Sequence, residues 1–454
     1  MMKRILTVAL CMALLCGLVQ VGAFAPAEEA KQTLAFFSDP EINALIDENY
    51  EKVLEEGWAE LRIPRSMHGI TEDMIDPNAL DVAYRLLDAG FEAQIIGGAV
   101  RDIAMGTETM DFDIVTNATI DEQLALMDDM TLHTIQSGLT FGFVHYGDEI
   151  VDLAQALNIP AAFHGLEGVP DFDPEPLYSD NFVFDSFERD LTMNAIYYDV
   201  ATGDLVDYHG GLHDIREGLL NTMVDPQVEL ASNPTVAIRA LRFKARYGFE
   251  FSERLEAAMR SHGREYVLAN TPDTFLFQLV RFWPAGYARA CYDTLVDYDV
   301  FDAIYPPLAG IDTADYMAAA TDWMDQWHAQ GNAQSDDLAM GAFLWPAVTG
   351  AEDIEARAAE VIARENEVFL IDEALAAHYT AMYTMQARLE AGEACADADE
   401  LMADPAFEDA YELLLIRCGT EEGLDAAAQY WTAARQAALD VEVPEDYEEL
   451  APAA

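Results

Sequence analysis

Residues 95–116 read IIGGAVRDIAMGTETMDFDIVT. Asp111 and Asp113 stand at i and i+2, so on a strand their carboxylates share one face while Phe112 turns to the core. Two aligned carboxylates suit Mg²⁺ or Mn²⁺, which take oxygen ligands and bridge to substrate phosphates. A third carboxylate belongs on a neighbouring strand of the same face. Asp152, in EIVDL, is best placed for it, ahead of Asp148 and Glu149 in the adjoining turn. Upstream, Gly97 and Gly98 let backbone amides approach a polyphosphate where a helix begins, and Arg101 adds a charged fork. The chemistry indicated is metal-assisted transfer at a phosphate, with Asp111, Asp113 and Asp152 as the catalytic trio and Asp111 and Asp113 as the metal ligands.

These residues need a strand, a helix and two more strands to hold them. Asp76–Ala89 has the spacing of an amphipathic helix with Pro77 in its first turn, and Gly90 closes it before a short apolar strand, 93–96. Strand-like runs recur at 112–115, 140–146, 149–153, 195–200 and 204–208, with Gly147-Asp148 and Thr202-Gly203 as hairpin turns. After Asp225 the strand signals stop. Residues 234–450 read as successive helices broken at Pro272, Pro284, Pro306, Pro346 and Pro405. Between 26 and 75 the apolar residues, from Leu34 to Leu54, follow helical spacing. The expected organisation is a leader (1–25), a helical extension (26–75), a mixed α/β head (76–225), a helical neck (226–310) and an acidic helical body (311–454).

Among the 454 residues, 83 Asp and Glu face 24 Lys and Arg, a formal net charge of −59, and the lysines are only Lys3, Lys31, Lys52 and Lys244. A hydrophobic fraction of 52% excludes a disordered polymer. The charge excludes binding through a broad basic groove, because a nucleic acid meets a repulsive long-range field. Such an excess also fits a high-salt habitat, where repulsion is screened. Met1-Met2-Lys3-Arg4, an apolar run to Ala25 and the small residues Ala23 and Ala25 read as a secretory leader. The chain is then exported if the leader is cleaved and membrane-anchored if it is not. Cys291, Cys395 and Cys418 are spaced too widely for a zinc site and read as core thiols. His145 and His164 lack ligand spacing. Trp283, Trp323, Trp327, Trp345 and Trp431 sit in helical apolar context as core anchors.

The glycine pair, Val100, Arg101 and Asp102, followed by Asp111, Asp113 and Thr116, resemble the GG-x-VRD and D-x-D-x-x-T motifs of the bacterial class II poly(A) polymerases and CCA-adding tRNA nucleotidyltransferases. A second motif of that family, R-R-D-F-T-I-N, appears as Glu188 to Asn194 (ERDLTMN), and a third as VDYHGGLHDIREGLL over 206–220. The likeness continues through AIRALRFKARYGF (237–249) and into the helices, where 336–348 and 405–416 look closer to the poly(A) polymerase branch. It implies an α/β nucleotidyltransferase head with a mixed sheet, followed by an all-α neck and body. It further implies transfer of AMP from ATP, or of another nucleotide from its triphosphate, to an RNA 3′ end by two-metal chemistry. By resemblance Gly97, Gly98 and Arg101, with Asp102 beside them, contact the triphosphate. Arg189, Asp190 and Asn194 hold ribose and phosphates.

The sequence departs from that pattern at informative places. The family's E-D-x-x-R at the start of the neck is here Ser232 to Val236, so Asn233 replaces the base-reading acid and Val236 the arginine. Asn233 keeps an amide for the base, and Arg239 and Arg242 keep the family's charge nearby. The first arginine of the second motif is Glu188, and after Arg289 only Arg357, Arg364, Arg388, Arg417 and Arg435 remain. These losses define the alternative expectation: an exported, diverged homologue that keeps the fold without polymerising, or that modifies an acceptor other than RNA.

Overall fold

The computed structural model describes residues 35–441, apart from 108, 110, 136–137, 284–285 and 333–334. The leader reading and Leu34 of the extension lie outside the described residues. The chain divides into two compact units, one ending at Phe277 and the other starting at Gln278.

The first unit is built on an eight-stranded mixed sheet. Its strands are β1 (Leu61–Ile63), β2 (Ala93–Ile96), β3 (Asp113–Thr116), β4 (Met130–Thr134), β5 (Thr140–Tyr146), β6 (Glu149–Gln155), β7 (Ile196–Asp199) and β8 (Asp204–Asp207). Their spatial order is β1-β8-β7-β2-β3-β6-β5-β4. Every neighbouring pair is antiparallel except β3 with β6, which run parallel with Asp113 opposite Asp152. Both β2 and β3 are buried along their whole length, as strands central to a covered sheet must be. Ile96, Val115, Tyr197 and Val206 pack in one core cluster on it.

Several elements differ from the sequence reading. The stretch read as a helical extension contains a helix, Pro40–Glu56, but also supplies β1 as an edge strand on β8. Leu61 and Ile63 are buried and Arg62 is exposed, an alternation of three residues that is too short to stand out in a helical pattern. Strand β4 is partly exposed along its length, so it carries no apolar signal. A two-residue parallel pairing joins Leu219–Leu220, just before the point where strand signals stop, to Glu250–Phe251, beyond it. Helix Thr235–Tyr247 belongs to the first unit and is buried on nearly all sides, Arg239, Arg242 and Arg246 included.

The second unit is helical throughout its described residues. Pro346 does not end its helix, which runs from Asp336 to Val348. A proline there withdraws the N–H that would bond the carbonyl of Ala342. That carbonyl accepts instead from the Tyr316 hydroxyl at 2.9 Å. Trp283, Trp345 and Trp431 are buried, whereas Trp323 and Trp327 are half-buried and stack on one another with centroids 5.0 Å apart. Cys291 is a core thiol, but Cys395 and Cys418 are only partly covered. None of the described helices is long and apolar enough to cross a membrane.

Asp409 of this unit accepts from both the Ser335 hydroxyl, at 3.2 Å, and His378 Nε2, at 2.7 Å. The hydrogen bond to Asp409 raises His378 above the usual imidazole range, against some loss from burial. A raised imidazole stabilises the folded state fully below the ordinary histidine range, and that contribution is lost as pH rises through the folded value. The thermal midpoint of the intact chain is therefore expected to fall as pH rises above the ordinary histidine value of about 6.5. His378→Gln should remove part of that fall; equal slopes for both proteins in scanning calorimetry would rule the coupling out.

Candidate active site

Asp113 opens β3, and its in-register partner on the parallel strand β6 is Asp152. In-register side chains on neighbouring strands point the same way and lie close, and like charges so placed repel. Asp111 does not share the strand. It precedes β3 in the loop, yet its carboxylate joins the other two, with one oxygen of each of the three within 4.8 Å of the others. Phe112 is buried between them, as its position in the alternation requires. Asp113 Oδ1 and Asp152 Oδ2 are buried and have no hydrogen-bond partner among the described residues. Burial raises Asp113 to about 7, opposed by the Arg189 and Arg239 guanidinium groups. Burial, and then the Asp113 charge, push Asp152 well above the usual carboxylate range. Three convergent carboxylates with two unsatisfied buried oxygens fit a hard divalent cation, which supplies the missing partner for each.

Gly97 meets the site from β2. Its φ of +73° is a conformation that side chains resist, and a Cβ there would lie 3.5 Å from Asp113 Oδ2. The helix Gly98–Ala104 follows directly. Arg101, on that helix, is buried and satisfied inside the protein. Its guanidinium pairs with Asp102 at 2.8 Å, donates to Asn194 Oδ1 at 2.5 Å, and lies 5.3 Å from the Phe243 and Tyr247 ring centroids. Asn194 in turn donates to Asp190 Oδ1 at 2.8 Å, and Asp190 pairs with Arg239 at 2.7 Å. Arg101, Asn194, Asp190 and Arg239 thus form a continuous buried chain from the glycine turn to the neck helix. Arg189 is held by Asp185 at 2.5 Å, and the same Asp185 oxygen accepts from the Tyr197 hydroxyl.

The structure brings together Gly97, Arg101, Asp102, Asp111, Asp113, Asp152, Arg189, Asp190, Asn194 and Arg239. Arg242 lies on the same helix, 4.6 Å from the Phe243 ring centroid. Asn233 caps the preceding helix, Pro226–Ser232, through its N–H to the Glu229 carbonyl. Val236, at the arginine position of the family pattern, is fully buried and part of the core. The aromatic pair Phe243 and Tyr247, and the acids Asp185 and Glu229, were not singled out from sequence. The i, i+4 spacing of Phe243 and Tyr247 was a usable signal, because it places both rings on one helix face. Asp185 and Glu229 carry none in so acidic a chain.

Two family profiles match this sequence: "Poly A polymerase head domain" over residues 93–221 and "Polymerase A arginine-rich C-terminus" over 349–450. The chain is a divergent member of the poly(A) polymerase and CCA-adding enzyme family. It is 32% identical over 262 residues to poly(A) polymerase I of Escherichia coli O157:H7, covering 54% of this chain and 53% of that one. It is 32% identical over 196 residues to the CCA-adding enzyme of Staphylococcus aureus, 40% of this chain and 44% of that one. The chain spans about half the length of the curated relatives it matches. In fold it is similar to a CCA-adding enzyme solved with ATP, with a TM-score of 0.60 at 16% identity over 87% of this chain and 91% of that one. It is also similar to the Thermotoga maritima CCA-adding enzyme solved with tRNA, with a TM-score of 0.58 at 16% identity over 85% and 88%. The mixed-sheet head and helical remainder are thus those of the family.

Proposed function

We propose that the protein transfers a nucleoside monophosphate, most simply AMP from ATP, to the 3′ end of an RNA without a template. The observation that carries this reading is the convergent trio Asp111, Asp113 and Asp152, in which one buried oxygen each of Asp113 and Asp152 lacks a partner among the described residues, inside a segment matching the poly(A) polymerase head domain. The acceptor's 3′-oxygen attacks the α-phosphorus, the bond to pyrophosphate breaks, and the hydroxyl proton departs to solvent. Asp111, Asp113 and Asp152 would hold a Mg²⁺ or Mn²⁺ ion, which would supply Lewis-acid activation and charge compensation. The chain's own residues bind and orient: Gly97 keeps the approach to Asp113 clear of side chains, and Arg189 and Arg239 supply fixed positive charge beside it. No covalent intermediate is needed, since positioning and electrostatics carry phosphoryl transfer. Family structures solved with ATP, CTP and tRNA support nucleotide and RNA as the substrate classes.

One observation favours the second reading, an exported relative that does not polymerise or that uses another acceptor. The stretch matching an arginine-rich C-terminus holds five arginines, no lysine and 26 acidic residues. Such a surface repels a phosphate backbone at low ionic strength. The test is incubation of the chain lacking residues 1–25 with labelled ATP, a short RNA primer and Mg²⁺, at low and at molar salt. A ladder of extended primers, stronger at molar salt, is the expected result. A folded protein giving no extension at either salt would transfer the conclusion to the second reading.

A further inference from the structure

The helix Pro40–Glu56 precedes the residues that match the head-domain profile and has no part in the chemistry above. A line of direct contacts nevertheless joins it to the segment that holds Asp190 and Asn194. Tyr50 stacks on the His213 ring, with centroids 3.5 Å apart and the planes 6° from parallel. Gly210 makes room for that ring: a Cβ there would lie 2.7 Å from Tyr50 Cδ2, and its φ of +76° resists a side chain besides. Arg216 pairs with Asp47 at 2.5 Å and donates to Asn43 Oδ1 at 3.3 Å. Asn43, Asp47 and Tyr50 recur at helical spacing, so one face of the 40–56 helix grips the helix Gly211–Glu217. Beyond the stack, His213 Nδ1 donates to Asp214 Oδ1 at 3.2 Å, and Asp214 Oδ2 accepts from the Thr192 hydroxyl at 2.6 Å. Asp214 and Thr192 are both buried. Gly211 lies so close to the same turn that a Cβ would meet the Thr192 carbonyl oxygen at 2.2 Å. Thr192 stands between Asp190 and Asn194, which tie Arg101 to Arg239. Close-packed contacts transmit displacement, so a shift of the 211–217 helix moves the turn at Thr192.

We propose that the 40–56 helix braces the nucleotide site. Through Tyr50, His213 and Asp214 it fixes Thr192, and with it the backbone that presents Asp190 and Asn194. Tyr50, His213 and Asp214 are positioning residues: they act through Thr192, and the gain is a site ordered before the nucleotide arrives, so that binding does not have to order it. This rests on the nucleotide reading above and assigns a role at that site to a segment whose sequence shows no chemistry of its own.

The experiment measures calorimetric binding of α,β-methylene ATP with Mg²⁺ to the full chain, and the rise in thermal midpoint that Mg²⁺ alone produces. Wild type, Tyr50→Ala, Tyr50→Phe, Thr192→Val and the Tyr50→Ala/Thr192→Val double variant are compared. Tyr50→Ala should raise the nucleotide Kd about tenfold, short of the hundredfold that a misplacement of about 1 Å can cost, while Tyr50→Phe, which keeps the stack, binds as wild type. The Mg²⁺-induced rise, which reports the aspartate trio, should be unchanged in Tyr50→Ala; a head damaged as a whole would lose both. The double variant should bind less weakly than the product of the two single effects, because both cut one line of contacts. Tyr50→Leu, which fills the space without the stack, takes the place of Tyr50→Ala if the latter does not fold. Wild-type affinity in the variant lacking the stack, joint loss of nucleotide binding and the Mg²⁺ response, or strictly multiplicative effects would each overturn the brace while leaving nucleotide binding standing. Absence of any binding by wild type would instead remove the nucleotide reading, and this inference with it.

Discussion

Asp113→Asn is expected to abolish stabilisation by Mg²⁺ and to raise the stability of the metal-free protein. The two effects have one cause. Asp113 and Asp152 face each other across parallel strands with buried oxygens that nothing among the described residues satisfies. With its folded value raised to about 7, Asp113 contributes stability that is present in acid and lost as pH rises from about 4 toward 7. At pH 8 the metal-free wild type therefore carries the buried Asp113 charge, and the amide removes it. Losing a residue that merely hydrogen-bonds to a metal ligand costs about 10–100-fold in metal affinity, so losing a ligand itself should weaken Mg²⁺ by about a hundredfold or more. Differential scanning fluorimetry with and without Mg²⁺ at pH 6 and 8 reads both effects. In wild type the Mg²⁺-induced rise should be larger at pH 8, since protons compete for the same oxygens. A variant that still gained wild-type stabilisation from Mg²⁺ would take Asp113 out of the metal site.

Arg239→Met is expected to be the most damaging single substitution for folding of the first unit. Arg239 and Asp190 are 4% and 5% exposed and 2.7 Å apart. Arg239 and the Asn194 amide hold Asp190 below the usual carboxylate range against the opposing effect of burial. Removing one partner of a buried pair leaves an uncompensated charge and costs about 3–5 kcal/mol. For a unit of this size that corresponds to a fall of roughly 10 °C in thermal midpoint. Because Asp190 also anchors Asn194, and Asn194 accepts from Arg101, the loss should propagate to the helix behind the glycine turn. Adding Asp190→Asn should recover part of the stability, and a double variant no better than the single one would show that the pair is not coupled.

Much of the candidate site in the middle of the sheet was readable along the chain. The strand 93–96, the glycine turn, the helix after it and the 140–146 strand announce themselves through local apolar runs and turn residues. Asp152 was the candidate third carboxylate because EIVDL reads as a neighbouring strand, and the parallel pairing sets it opposite Asp113. Strands β1 and β4 escaped because one is three residues long and the other half-exposed, leaving no period to read. Pro346 was read as a breaker because the hydroxyl that satisfies its orphaned carbonyl comes from Tyr316, thirty residues earlier.

By itself the sequence determined which residues could ligate a cation and handle phosphate, since spacing of two along a strand and a glycine pair before a helix are local properties of the chain. It also determined the family, through motifs that keep their order. Only the tertiary structure decided what each charge does. Parallel pairing of β3 with β6 set Asp113 opposite Asp152, and packing of the neck helix against the 188–194 segment joined Arg239 to Asp190. The reason is that a carboxylate's or guanidinium's behaviour depends on burial and on neighbours within a few ångströms, and in this chain those neighbours come from segments dozens of residues away.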